Sequence, residues 1–172
     1  MNHEKRIGLG AALACLLALA LPAQAQDDPL VPANTLTPAT ALKIANAALA
    51  ACRAEGYQVA VAVVDRMGVP QVMLRDRYAG PHTPDTSQRK AWTAVSFRND
   101  TLTLAANTGP DSELSGARMI TNVLMIGGGV PVQASGSVVA GVGVSGAPDG
   151  AADDRCARAG IAAVREQLEL GG

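Results

Sequence analysis

Aromatic side chains are nearly missing, at 2% of 172 residues. Tyr57, Tyr78, Trp92 and Phe97 are all of them. Single-stranded nucleic acid binds on rows of stacking aromatics, so a chain this poor in them argues against that ligand. Excess charge of either sign is missing too. Fourteen basic residues face fifteen acidic ones, a net charge of −1, which gives no electrostatic reason to bind nucleic acid or an anionic membrane surface. Histidine occurs twice and cysteine three times, too few for a histidine-rich or cysteine-rich metal centre. With so few aromatics, the core has to be built from Ala, Val, Leu and Ile. The hydrophobic share of 48% against 17% charged is that of a globular domain rather than a disordered tail.

The first 25 residues have the three parts of an export signal. Lys5 and Arg6 form a basic start, residues 7–21 an apolar run, and Ala23-Gln24-Ala25 a small-x-small cleavage site. The run is short for a bilayer span. The expected organisation is therefore a signal peptide at 1–25, a polar leader at 26–36 and a single domain at 37–172. The mature product would be periplasmic or secreted, with no membrane attachment. Export also changes the cysteine arithmetic. Cys15 leaves with the signal, and Cys52 and Cys156 remain in an oxidising compartment, where such a pair tends to become a disulfide. Two unpaired buried thiols are the alternative.

Periodicity supplies the elements. Thr37 reads as a helix cap with Pro38 in the first turn. Leu42, Ala45, Leu49 and Cys52 mark the inward stripe, and Gly56 stops the helix. Residues 58–65 alternate as a strand, with Val59, Val61 and Val63 on one face and Ala60 and Ala62 on the other. A turn at 65–68 leads to a second strand at 71–75. Helices are expected at 87–97 and 101–106, and short strands at 123–126 and 130–132. A long strand at 137–144 follows. The last helix begins at Asp149 and carries Cys156, Ala159, Ala163, Val164 and Leu168 inward. Strands joined by short turns predict an α+β domain with an antiparallel sheet. A Cys52–Cys156 bond would pin the first and last helices side by side on one face of it. No internal repeat is evident.

Few motifs carry chemistry. Gly141-Val142-Gly143-Val144-Ser145-Gly146 matches the dinucleotide fingerprint, but the following chain has no room for the helix and second parallel strand of that fold. The better reading is that Gly141 and Gly143 leave space for a helix on that sheet face. Gly127-Gly128-Gly129 lacks the Lys-Ser/Thr of a phosphate loop. Ser87, Ser112 and Ser135 have no evident base except His82, and turns or caps explain Asp65, Asp76, Asp85 and Asp154. Asp153 and Asp154 suit the dipole at the start of the final helix. His82 is the sole histidine left after export, held between Pro81 and Pro84. It is either a solvated surface group or an axial ligand to haem iron, which needs only one imidazole. Arg75, Arg77, Arg89 and Lys90 flank it and could pair with haem propionates. Met73, Met119 and Met125 are possible second ligands.

These pieces together resemble the GlcG/HbpS family, called haem-binding or haem-degrading, which includes the C-terminal domain of PduO-type proteins. Four stretches carry the resemblance: Val61-Ala62-Val63-Val64-Asp65-Arg66-Met67-Gly68, Pro81-His82-Thr83 leading to Arg89-Lys90-Ala91-Trp92-Thr93-Ala94, Gly127-Gly128-Gly129-Val130-Pro131-Val132, and the glycine-rich run at 141–146. The exported branch of the family is also similar at Asp153-Asp154-Arg155-Cys156-Ala157-Arg158-Ala159-Gly160, which supports the disulfide. The resemblance implies a profilin-like or PAS-like sandwich, a five-stranded antiparallel sheet with flanking helices, assembled as a homo-oligomer. It implies haem as cofactor, held for storage, scavenging or redox sensing. Haem breakdown, or an accessory role in a periplasmic oxidoreductase system, are the alternatives. His82 is the expected iron ligand, followed by Thr83 and Thr108.

Overall fold

The computed structural model describes residues 29–31 and 33–170. The expected signal at 1–25 lies outside them. Of the chain's two compact units, residues 1–32 contribute only Pro29, Leu30 and Val31 to the described set. The unit at 33–172 carries every helix and strand found there.

The first helix, α1 (Pro38–Ala54), starts as the sequence predicts. Thr37 Oγ1 accepts the Thr40 N–H at 3.2 Å, and Pro38 takes the first turn. Its buried stripe is Ala41, Ile44, Ala45, Ala48, Leu49 and Cys52, and Leu42 is exposed instead. Leu36, expected in the polar leader, is buried in the core, with its carbonyl accepting from Gln71 Nε2. Next comes the hairpin of β1 (Ala60–Asp65) and β2 (Pro70–Arg75). Asp65 Oδ1 shapes its turn by accepting the N–H groups of Met67 and Val69. Gly68 sits in that turn at φ +83°, with the Trp92 ring against its Cα. Helix α2 (Thr83–Phe97) starts four residues before the expected 87, because Thr86 already bonds back to the His82 carbonyl.

After α3 (Thr101–Asn107), residues 123–126 do not form the expected strand. Side chains of α2 capture their backbone: Leu124 N–H goes to Thr93 Oγ1 at 2.9 Å, and the Val123 carbonyl accepts from Arg89. Val123 and Met125 then pack with Leu104 against Trp92 and Phe97. Strands β3 (Gly129–Ala134) and β4 (Ser137–Ser145) complete a sheet of order β2-β1-β4-β3, antiparallel throughout. The expected five-stranded sheet therefore has four strands among the described residues. The expected final helix is two, α4 (Gly150–Ala162) and α5 (Arg165–Leu170). Cys156 and Val164 are buried, Leu168 is half-buried, and Ala159 and Ala163 face solvent.

The sheet separates two kinds of packing. On one face Val59, Val61, Val63, Val130, Val132, Val142 and Val144 meet α1 and α4 in the main core. The Cys52–Cys156 disulfide joins those helices with Cα atoms 5.4 Å apart, closing a separation of 104 residues. In the chain-entropy model a loop of that length stabilises by about 4–5 kcal/mol. On the other face Ala62 and Val64 meet Ala91 and Val95 of α2. There Gly141 and Gly143 let the helix backbone touch the sheet: a Cβ on Gly143 would lie 1.8 Å from the Ser87 carbonyl oxygen. The free edge of β3 is closed by Thr101 of α3 and by its own residues. Gly129 N–H donates to Thr101 Oγ1 at 2.8 Å, Pro131 has no N–H, and the register shifts between Val132 and Gln133.

Candidate functional site

The loop between β2 and α2 is fixed step by step. Asp76, 3% exposed, anchors it. Its N–H donates to Val59 O at 2.9 Å, and its Oδ2 accepts the Val59 N–H at 3.2 Å. Oδ1 receives Arg53 of α1 through Nε at 2.8 Å and through Nη2. Ala79 N–H returns to the Asp76 carbonyl, and Arg75 Nη1 holds the Ala79 carbonyl. Gly80 O then accepts both the N–H and the hydroxyl of Thr83, at 3.0 and 2.8 Å. The sequence assigns Asp76 to a turn and gives no sign of this long-range anchoring, because the partners lie on other elements.

His82 emerges from this rigid loop at the start of α2. It is exposed, and its imidazole caps no helix N–H and makes no hydrogen bond among the described residues. The ring lies against Gly80, where a Cβ would come within 2.7 Å of its Cε1. Arg77 is also exposed, with its guanidinium 5.6 Å from the centre of the Tyr78 ring. Arg89 lies two helical turns from His82, on the same side of α2. It is committed to the carbonyls of Asn122 and Val123 and lies 3.8 Å from Asp85 Oδ2.

Other expected ligands are placed elsewhere. Lys90 is 1% exposed. Its Nζ donates to Asp153 Oδ2 at 2.7 Å and to the Val144 carbonyl at 3.0 Å, so it is a structural cation and cannot reach a bound propionate. Its inward phase was legible, since it shares a helical face with Ser87 and Ala94. Asp153, in turn, is a buried partner rather than only a helix-dipole residue. Burial pushes its carboxyl above the ordinary value, and the Lys90 charge acts against that rise. Thr83 is buried with its hydroxyl spent on Gly80. Thr108 is buried too, its hydroxyl donating to the Leu104 carbonyl. Met125 is buried, Met119 is exposed, and the Met73 sulfur lies 3.9 Å from Ser87 Oγ.

The chemistry available at His82 is narrow. No group of three His, Cys, Asp or Glu residues capable of holding a metal ion occurs among the described residues. Ser87 spends its hydroxyl on the Pro84 carbonyl. A lone imidazole supplies one ligand, which suffices only for an iron whose other ligands come with it, as in haem. Two clefts open elsewhere. One, about 560 Å³, runs along β3 between Arg98, at the end of α2, and Arg158 and Arg165 of α4 and the segment after it. The other, about 350 Å³, lies between Leu36 and Leu168. His82 lines neither. No pattern in the sequence marks the β3 cleft, whose walls come from four separate segments.

A family model described as haem degrading protein HbpS-like matches residues 36–162. The chain is 34% identical over 114 residues to an uncharacterized 15.0 kDa protein of Citrobacter freundii, in its dhaT-dhaS intergenic region. That match covers 65% of this chain and 80% of the relative. The crystal structure of a double mutant of Streptomyces reticuli HbpS superposes with a TM-score of 0.75 at 43% identity, covering 83% of this chain and 96% of that one. A crystal structure of a PduOC:heme complex superposes with a TM-score of 0.70 at 27% identity, covering 75% and 94%. With its matched stretch running from the residue before the α1 cap to the end of α4, the chain belongs to the HbpS-like family.

Proposed function

We propose that the chain is an exported haem-binding protein that stores, scavenges or senses haem, with His82 as the axial ligand. The observation that carries this is the His82 imidazole, exposed, unbonded and held by a rigid loop. Family membership and the PduOC:heme relative support haem as the ligand. Haem would supply a redox-active iron. The chain's own contribution is a lone pair on His82, a free guanidinium on Arg77 for a propionate, and Arg75 and Asp76 to hold the loop in place. The His82 side chain is exposed in one copy, so a second copy that covered it would fit the expected homo-oligomer.

Titration of the purified protein with haem gives a Soret band, and His82→Ala shifts that band and weakens binding at least about tenfold, as loss of one coordinating contact requires. No band at micromolar haem rejects the reading, and an unchanged band in the variant removes His82 from it. Release of a product beginning at residue 26 into the periplasm or medium tests export. The family's description also favours a second reading, haem breakdown. Bleaching of bound haem with ascorbate, faster than that of free haem, is its expected sign.

A further inference from the structure

We propose that the free edge of β2 is the surface through which two copies of this chain pair, antiparallel about a two-fold axis at Leu74, joining their four-stranded sheets into one. The ladder shows which groups wait there. Asp76 N–H donates to the Val59 carbonyl, and the register that follows sets Leu74 against Val61 and Val72 against Val63. Bonded and unbonded pairs alternate in an antiparallel ladder. Arg75 and Met73, opposite Ala60 and Ala62, therefore turn their N–H and C=O groups away from β1. Neither backbone finds another partner among the described residues. The β3 edge is closed by Thr101 and Pro131, so the open row of the sheet lies here.

The edge is complementary to itself, which selects the occupant. With Leu74 opposite Leu74 of the second copy, Met73 stands opposite Arg75 of that copy. The two residues then exchange both main-chain bonds, and symmetry repeats the exchange. A register centred on Met73 would instead set Arg75 against Gln71, which the β1–β2 ladder skips. Leu74 is only half-buried against the main core, and its symmetry mate completes the cover. On the α2 face Arg75 meets a methionine rather than another arginine, so no like charges are opposed. Beyond the strand end, Tyr78 comes level with Pro70 of the second copy, beside Val69. Met67, Val69, Met73 and Tyr78 are all exposed in a single chain. An unrelated extended peptide would use the main-chain groups alone, whereas a second copy also covers this apolar fringe. The contact is isologous, and with the β3 edge closed it ends at two copies. It needs no haem and stands apart from His82.

The test uses the haem-free, disulfide-bonded protein, with sedimentation velocity across a dilution series and amide-resolved hydrogen exchange. The protein sediments as an assembly of pairs. The Met73 and Arg75 amides, which a single copy leaves to solvent, exchange as slowly as those of Val72 and Leu74 and become fast when dilution separates the copies. Met73→Pro removes an outward N–H and costs the single chain no ladder bond. It weakens pairing at least about tenfold, while circular dichroism still shows the folded chain. Fast exchange at both amides in the assembled protein overturns the proposal, as does undiminished assembly of a folded Met73→Pro, or a monomer at every concentration. Slow exchange in a monomer assigns the edge to the chain's own leader and overturns it too. Where Met73→Pro does not fold, the exchange rates of the parent decide alone.

Discussion

The two faces of the sheet solve the same packing problem by opposite means. Towards α1 and α4 the strands present valines, and a disulfide locks the helices that cover them. Towards α2 they present Ala62, Val64 and two glycines, and the helix backbone itself comes to rest on the strand. One face is filled by side-chain volume and the other by its removal. The first kind of packing tolerates a lost methyl group by leaving a small void. The second has no slack, because the opposing atoms are backbone oxygens that no rotamer change can move.

Neighbouring residues on β4 test this difference most sharply. Gly143→Ala places a methyl 1.8 Å from the Ser87 carbonyl oxygen. It is expected to cost more than about 4 kcal/mol, the upper end for single substitutions, and to abolish cooperative thermal unfolding by circular dichroism. Val142→Ala, one residue away and on the other face, should cost only about 1–3 kcal/mol. A milder loss at 143 than at 142 would break the contrast. Lys90→Met comes next. It strands Asp153 in the interior without its cation and should cost about 3–5 kcal/mol in urea unfolding, much of it recovered by adding Asp153→Leu.

On the valine face, Cys52→Ala with Cys156→Ala should cost about 2–5 kcal/mol, leaving a folded protein with a lower midpoint. The smallest effect concerns Asp100. Burial raises its carboxyl, but the Thr103 hydrogen bonds and the Arg158 charge outweigh this and hold it below the usual range. A depressed native value contributes stability above the unfolded value of about pH 3.9, and that stability is lost as pH falls through the native value. Urea midpoints measured between pH 6 and pH 3 should fall less steeply in Asp100→Asn than in the parent.

Local patterns made most of the fold legible. The alternation of Val59, Val61 and Val63 with Ala60 and Ala62 assigned both faces of β1, and Thr37-Pro38 marked the start of α1. Counting cysteines on the expectation of export found the partners Cys52 and Cys156. Gly141 and Gly143 read correctly as room for a helix. Most failures are tertiary. Val123 to Ile126 has strand-like residues, yet Thr93 and Arg89 of a distant helix take its backbone bonds. Lys90 is a local failure instead: it lies beside His82's loop in sequence, but the helical face it shares with Ser87 and Ala94 turns it into the interior. The resemblance implies five strands and the residues offer a fifth piece at 123–126, which is not a strand, so the sheet has four among the described residues. At the candidate site the sequence located His82 and its stiff loop but not its anchor, Asp76, whose partners are Arg53 and Val59.

The outer margin of β3 constrains how this chain can associate. With the Gly129 amide already engaged by Thr101, a proline at 131 and the ladder offset just beyond, an incoming extended peptide would find no regular row of donors to zip onto. Growth of the sheet from one molecule into the next is blocked on that flank. Copies that meet there must join through side chains, which guards a protein rich in valine strands against runaway fibre formation.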